Sequence, residues 1–415
     1  MKIAIVGSGI AGLTSAYLLN RKHDISLFEA GDWIGGHTHT VDVEVQGQRY
    51  AIDTGFIVFN DWTYPNFIRL LDQLGVASQP TEMSFSVHDP VSGSEYNGNN
   101  LNSLFAQRSN LLRPAFWGML RDILRFNREA LFDLQEQYIP ADMTLGAYLD
   151  SRGYGQRFID HYIVPMGAAI WSMSLADMLA FPLQFFVRFF KNHGLLSVND
   201  RPQWRVICGG SRSYVAPLTA GFAERIRLNC PVQRVERDDA GVLLHSPAGV
   251  ERFDKVIFAC HSDQALALLA QPSETERQIL GALRYADNDV VLHTDTRLLP
   301  QRRLAWASWN YRLGGPVDQP AAVTYNMNIL QGIRSDTTFC VSLNQTAAID
   351  PSKILGRYRY AHPQYSLAGI AAQARWEELC GVQHTYYCGA YWANGFHEDG
   401  VTSALRVARA FGEEL

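Results

Sequence analysis

An α/β fold built as two interleaved domains is predicted by three features: a strand, glycine turn, helix and strand at the N-terminus, a strand running into a helix at the C-terminus, and a set of short apolar strands between them. Lys2-Ile3-Ala4-Ile5-Val6 is the first strand and Gly7-Ser8-Gly9-Ile10-Ala11-Gly12 the turn. The helix runs through Leu19, and Ile25-Ser26-Leu27-Phe28 is a second strand ending at Glu29. The glycine spacing is that of a dinucleotide-binding turn. Gly7 permits the tight turn, Gly9 lets backbone approach a pyrophosphate, Gly12 lets the helix pack on the strand, and the helix start at Ile10 and Ala11 offers N–H groups to phosphate. Glu29, followed by Ala30, stands where a carboxylate reaches ribose hydroxyls. A glycine-rich turn without a nucleotide would need neither the flanking strand and helix nor the acid at the end of the next strand.

Gly35-Gly36-His37-Thr38 follows closely, and an alternating stretch over 38–52 leads to Asp53-Thr54-Gly55. At the other end, Tyr386-Tyr387-Cys388-Gly389-Ala390-Tyr391 reads as a strand and Trp392-Ala393-Asn394-Gly395-Phe396 as a turn. His397-Glu398-Asp399-Gly400 then leads into a helix over 401–411. In the middle, Ile207-Cys208-Gly209-Gly210-Ser211 precedes a helix. Pro231-Val232-Gln233-Arg234-Val235 and a hairpin to Phe253 lead into the strand Lys255-Val256-Ile257-Phe258-Ala259. Each segment alone is ordinary α/β sequence, and His397-Glu398-Asp399 alone reads as a well-capped, solvated helix start.

In this order the segments resemble, over essentially the whole chain, the FAD enzymes of the flavin-containing amine oxidase, protoporphyrinogen oxidase and phytoene desaturase superfamily. The resemblance implies a two-domain FAD-binding, Rossmann-like fold of the glutathione-reductase type, with an α+β substrate domain containing an antiparallel sheet. It implies FAD as cofactor, held first by Gly7, Gly9, Ile10, Ala11, Gly12, Glu29 and Ala30. Gly35, Gly36, His37 and Thr38 then lie near the pyrophosphate, backbone around Val232 touches adenine, and Gly389, Phe396, Glu398, Asp399 and Gly400 close the site. In the family's closing motif an acidic residue, matched here by Asp399, takes a ribitol hydroxyl. The helix behind it aims its N-terminus at the flavin and stabilises the anionic reduced ring. The second glycine pair usually precedes an arginine, whereas here it precedes His37, which keeps a donor and loses a permanent charge.

With 415 residues, 47% hydrophobic and 19% charged, the chain can bury large cores and is expected to hold two domains. A formal net charge of −5 leaves no electrostatic footprint for nucleic acid. Cys208, Cys230, Cys260, Cys340, Cys380 and Cys388 show neither CxxC pairing nor a His-rich neighbourhood, so no metal site and no disulfide scaffold is expected. A reducing cytoplasm fits this pattern. The first apolar run is a sheet strand with no small-residue cleavage site after it, which argues against a signal peptide, and no apolar run reaches transmembrane length.

The expected organisation is discontinuous: 1–75, 200–272 and 384–415 build the FAD-binding domain, and 76–199 with 273–383 the substrate domain. The first insertion reads as mostly helical, with apolar residues at helical spacing and many arginines over 101–137 and a further helix beginning at Thr144. The second reads as antiparallel strands at 290–294, 304–311, 322–329 and 338–343.

Amine oxidases of the family carry a lysine linked through water to the flavin and an aromatic cage around the amine. Here Lys2, Lys22, Lys191, Lys255 and Lys353 all miss the strand near 290–292 where that lysine would fall, and His397 stands where one cage tyrosine aligns. Both departures count against amine oxidation. Trp306, Ser308 and Asn310 share one face of a strand and Thr324, Asn326 and Asn328 one face of the next, reading equally as a cavity wall or a solvated face. Phe181, Phe185, Phe186, Phe189 and Phe190 form one helical stripe, which is core, an acyl tunnel or a membrane contact.

The leading expectation is an FAD-dependent oxidase or desaturase acting on a largely apolar small molecule or lipid, with an unsaturated or methyl-branched acyl chain as first choice. An amine oxidase with an altered cage and a non-catalytic flavin-bound protein are the alternatives. His397 is the best catalytic candidate, with Trp392 and Asn394 shaping the entrance. Oxygen, a quinone and another flavoprotein stay open as electron acceptors, as do a monomeric or homodimeric state and peripheral contact at the inner face of the membrane.

Overall fold

The computed structural model describes residues 1–316 and 318–415. Its nucleotide-binding half is a five-stranded parallel sheet in the order Ile226–Arg227, Asp24–Phe28, Lys2–Val6, Lys255–Phe258, Thr385–Tyr387. The central strands are apolar almost throughout because both faces are covered. Alternation assigns the faces: Ile3, Ile5 and Ile257 pack toward the helix Ile10–Leu19, while Ala4, Val6, Val256 and Phe258 pack toward Val235, Val242 and Leu244 of an antiparallel meander. The C-terminal helix, His397–Arg409, crosses Ile10–Leu19, and it begins four residues earlier than its apolar pattern suggests because Asp399 caps its first turn. The strand expected around Val232 begins only at Arg234, leaving Val232 in an extended approach.

A seven-stranded sheet forms the other half, ordered Ile354–Gln364, Arg284–His293, Cys340–Leu343, Val323–Asn326, Trp309–Arg312, Phe85–Asp89, Ser94–Asn97. All its pairings are antiparallel except that of Trp309–Arg312 with Phe85–Asp89. The four expected strands are present in shortened or lengthened form, and three others come from segments read differently. Phe85–Asp89 and Ser94–Asn97 lie in the insertion expected to be mostly helical, and their buried Ser86, His88, Glu95 and Asn97 mask the apolar alternation. Ile354–Gln364 is an edge strand, where Pro363 and half-exposed polar residues are tolerated.

Four of the six residues of the polar ladder are turned into the fold, while Trp306 and Asn328 are partly exposed. Ser308, Asn310, Thr324 and Asn326 are buried, and their hydrogen bonds close within the fold. Asn310 Nδ2 donates to Ala307 O and Thr324 O, its Oδ1 accepts from Ser86, and Thr324 Oγ1 lies 2.7 Å from Ser342 Oγ.

The helical insertion packs Phe181, Phe186, Phe189 and Phe190 inward, so the aromatic stripe is core and not a membrane-facing surface. Its helix, Leu183–Asn192, is covered outside by the long helix Pro114–Gln135, with Phe126 and Phe186 rings 6.4 Å apart. Inside, Trp171 joins Phe181, Phe189 and Tyr365 in one aromatic layer.

Candidate cofactor and substrate site

The turn at Gly7–Gly12 is shaped for backbone contact with phosphate. Gly7 has φ +105°, and a Cβ at Gly12 would lie 1.9 Å from Gly7 O, so the helix meets the strand with no room for a side chain. A Cβ at Gly9 would meet nothing within 4 Å, which leaves open space before a helix N-terminus that has no side-chain cap. Gly35 bridges to Gly9, and a Cβ at Gly36 would come 3.1 Å from the Gly9 Cα, so the second glycine pair does lie against the turn. Glu29 holds this corner: its carboxylate accepts from Ser8 N, Ser8 Oγ and Gly31 N at 2.9, 2.6 and 2.8 Å. Ala30 is exposed beside it. Asn229 N donates to Gly31 O and Cys230 N to Glu29 O, which draws the approach to buried Val232 along the same edge.

The closing motif brings a second helix N-terminus to the first. A Cβ at Gly400 would lie 2.7 Å from Ile10 Cγ2, so the two helices touch at their starts. Asp399 accepts from Phe396 N at 2.9 Å and Asn394 Nδ2 at 3.3 Å, and burial pushes its carboxyl up to about 7. Gly389 N donates to Ser403 Oγ, tying the last strand to this helix.

Glu398 turns its carboxylate to a neighbouring helix. Its carboxylate accepts from Asn66 N, Asn66 Nδ2 and Phe67 N, the first N–H groups of the helix Pro65–Leu74, and so serves as that helix's cap. Glu398→Ala is expected to lower stability by about 2 kcal/mol while FAD content is retained, as read by urea unfolding and flavin absorbance.

His397 is buried, stacked 3.5 Å from the Phe56 ring centroid, with its Nε2 3.0 Å from Thr38 Oγ1 and 3.2 Å from Tyr214 OH. Burial holds it well below the usual imidazole range, so it is neutral. This network makes His397 a group that positions Thr38. The free lone pair lies elsewhere, on His37, whose Nε2 has no partner while the ring is bonded to the Ala361 backbone. Around His37 stand Tyr360, His362 and His261, with ring centroids 5.3, 5.5 and 6.1 Å away. Burial lowers His37 and His261 to about 4 and His362 to about 3, so the cluster is neutral at pH 7. All three residues are partly buried. His261 and His362 were not among the expected site residues. Position alone flags His261, just past the carboxyl end of the strand Lys255–Phe258, where open α/β sheets bind ligands.

A cleft of about 420 Å³ opens at the start of the helix His397–Arg409, lined by Trp62, Thr63, Tyr64 and Pro65, by Asn192 and His193, and by Asn394, Phe396, Glu398 and Asp399. Asn394 lines the cleft, and Phe396 faces it with its ring 5.2 Å from Phe189. Trp392 is not among the lining residues; its ring lies 5.2 Å from that of Tyr391 at a tilt of 40°. None of the five lysines reaches the cleft. Lys2, Lys22 and Lys353 pair with Glu251, Glu413 and Asp295, Lys255 Nζ lies 2.9 Å from His384 Nδ1, and Lys191 is exposed.

FAD fits this frame. The open cradle at Gly9 suits a pyrophosphate, and His37 Nε2, Tyr391 OH and Trp392 Nε1 are buried polar atoms with no protein partner, left for a bound group to satisfy. Residues 10–308 match the family model for flavin containing amine oxidoreductases. A Mycobacterium tuberculosis protein named as a flavin-containing monoamine oxidase, AofH, is 25% identical over 282 residues, covering 65% of this chain and 59% of its own length. The matched part of this chain thus spans about three fifths of that curated relative. Among solved structures, putrescine oxidase bound to putrescine aligns with a TM-score of 0.71 at 15% identity over 99% of both chains. A CLA-producing fatty acid isomerase from P. acnes aligns with a TM-score of 0.69 at 15% identity over 99% of this chain and 98% of that one. The chain therefore belongs to the flavin containing amine oxidoreductase family, with FAD as its cofactor.

Proposed function

We propose that the chain is an FAD-dependent oxidoreductase acting on a largely apolar substrate, with a modified fatty acyl chain as the substrate class. The supporting observation is the character of the inner site: aromatic rings and neutral imidazoles, with every lysine at the periphery. Bound FAD supplies a two-electron acceptor, so that an acyl chain loses a hydride and a proton, gains one double bond, and an oxygen, quinone or flavoprotein acceptor takes the electrons onward. Phe396 at the cleft, backed by Phe189 and Trp171, offers an apolar wall for methylenes, each worth about 0.8 kcal/mol when buried. His37 Nε2 is the proton acceptor at hand, and Thr38 is held by His397 and Tyr214.

Amine oxidation with an altered cage is the second reading, supported by the likeness to AofH and putrescine oxidase and by the carboxylates of Glu398 and Asp399 at the cleft. Both carboxylates are already occupied by backbone N–H groups, which weakens them as ammonium partners. Mass analysis of products decides between the readings. Unsaturated or methyl-branched acyl lipids should return products lighter by two hydrogens, whereas aldehyde formed from an amine panel without acyl products would favour the second reading. Flavin-loaded protein that turns over neither class would point to a non-catalytic role.

A further inference from the structure

The outer face of the helix Pro114–Gln135 carries a surface that the site does not use. Phe116, Met119, Phe126 and Ala130 point inward, while Trp117, Arg121, Leu124, Arg128 and Phe132 form a single outward stripe. Trp117, Leu124 and Phe132 are 49%, 58% and 53% exposed, and Leu112, on the preceding turn Arg108–Leu112, is 86% exposed. Trp117 Nε1 donates to Leu111 O at 3.0 Å, which fixes the indole beside that turn and joins the two into one face. The charge on this face is predominantly positive. Arg108, Arg121 and Arg128 are exposed, Arg121 lying 3.7 Å from Asp122, while Asp122 and Asp133 are buried, Glu129 is held by Arg125 and Tyr154, and Glu136 just past the helix end is the exposed acid of the stretch. At 22 residues the helix is about 33 Å long.

Exposed Leu, Trp and Phe interleaved with arginines along one helix face is the composition that lies in a bilayer interface, with guanidinium groups on lipid phosphates. We infer that this face docks the protein onto an anionic lipid surface. A protein partner with an acidic groove would meet the same charges, but the apolar side chains are spread along a convex helix and do not converge on one anchor. Behind the face, Phe126, Phe186, Trp171 and Tyr365 follow one another at ring separations of 6.4, 6.0 and 6.3 Å, so the docked helix backs directly onto the aromatic layer beside the cleft.

The test is sedimentation of the flavin-loaded protein with vesicles of phosphatidylglycerol and phosphatidylethanolamine, against phosphatidylcholine alone. It reads no turnover, so it is independent of the substrate assignment. Binding should require the anionic lipid, weaken as salt is raised, and fall about tenfold or more in Arg121→Glu with Arg128→Glu. A Leu112→Ser, Trp117→Ser and Leu124→Ser variant should lose a similar factor while its flavin absorbance stays that of the parent. Absence of binding to anionic vesicles at low salt, or equal binding by parent and both variants, would overturn the proposal. So would a parent dimer that both variants convert to monomer without any vesicle binding, which would assign the face to a second copy of the chain.

Discussion

Gly12→Val is expected to accumulate without bound flavin and to unfold at clearly lower urea than the parent. At this position a Cβ falls 1.9 Å from Gly7 O and 3.2 Å from the Ala259 Cβ, and the first of these is backbone that cannot rotate away. Accommodating valine means moving the helix Ile10–Leu19 off the parallel sheet, at a cost of roughly 1–3 kcal/mol or more. The N–H groups at the helix start then no longer converge on one point. Gly9→Ala provides the contrast. Gly9 has φ −66° and a Cβ there meets nothing within 4 Å, so alanine is tolerated by the fold and its methyl enters the space assigned to the pyrophosphate. The apoprotein should keep parental stability and bind FAD more weakly by about tenfold or more. Flavin-to-protein absorbance ratios and urea midpoints separate the two outcomes. Equal flavin content in all three proteins would contradict the placement of the cofactor.

Acid is expected to unfold the protein well before its carboxylates are fully titrated. Burial holds His37, His193, His261 and His293 at about 4 and His362 at about 3, against about 6.5 in the unfolded chain. Lowered histidine values mean that the unfolded state takes up protons first. Their contribution is complete above pH 6.5 and is lost as pH falls toward the folded values of 3–4. Buried carboxyls act the other way, Glu398 among them and Asp53 and Asp399 most strongly. Burial raises Asp53 to about 6 and Asp399 to about 7, so the contribution of these two is greatest at low pH and is lost as pH rises through those values. At roughly 1.4 kcal/mol per unit the five histidines outweigh the two acids, for a net loss on the order of 5 kcal/mol between pH 7 and pH 5. That is comparable to the whole stability of many domains. Urea unfolding at pH 7, 6 and 5 should show the midpoint dropping at each step, and a flat or rising series would contradict the buried, neutral state of the cluster.

The nucleotide-binding half is legible in the sequence because each of its parts is a local constraint. The apolar runs Lys2–Val6 and Lys255–Phe258, the glycines at 7, 9 and 12 and the capped start of the last helix all announce themselves within a dozen residues. The substrate half is less legible because its sheet is completed by strands whose reasons are distant. Phe85–Asp89 joins the sheet through Trp309–Arg312, more than two hundred residues away in the chain, and Ile354–Gln364 through Arg284–His293. The histidine cluster is illegible for the same reason, since His37, His261 and His362 come from a loop, a strand end and an edge strand far apart in the chain. The capping contact of Glu398 is illegible because a carboxylate one residue from the ribitol position has the same local pattern whether it faces a cofactor or caps a neighbouring helix. The phenylalanine stripe carried a correct helical period but not its direction, and its neighbour Pro114–Gln135 holds the exposed face.

The most direct test of the central claim is anaerobic mixing of the flavin-loaded protein with dispersed unsaturated and methyl-branched acyl lipids and, separately, with primary and secondary amines, followed by absorbance of the oxidised flavin. Bleaching by an acyl lipid and not by amines is the predicted result. Bleaching by amines alone would contradict it and assign the site to amine oxidation.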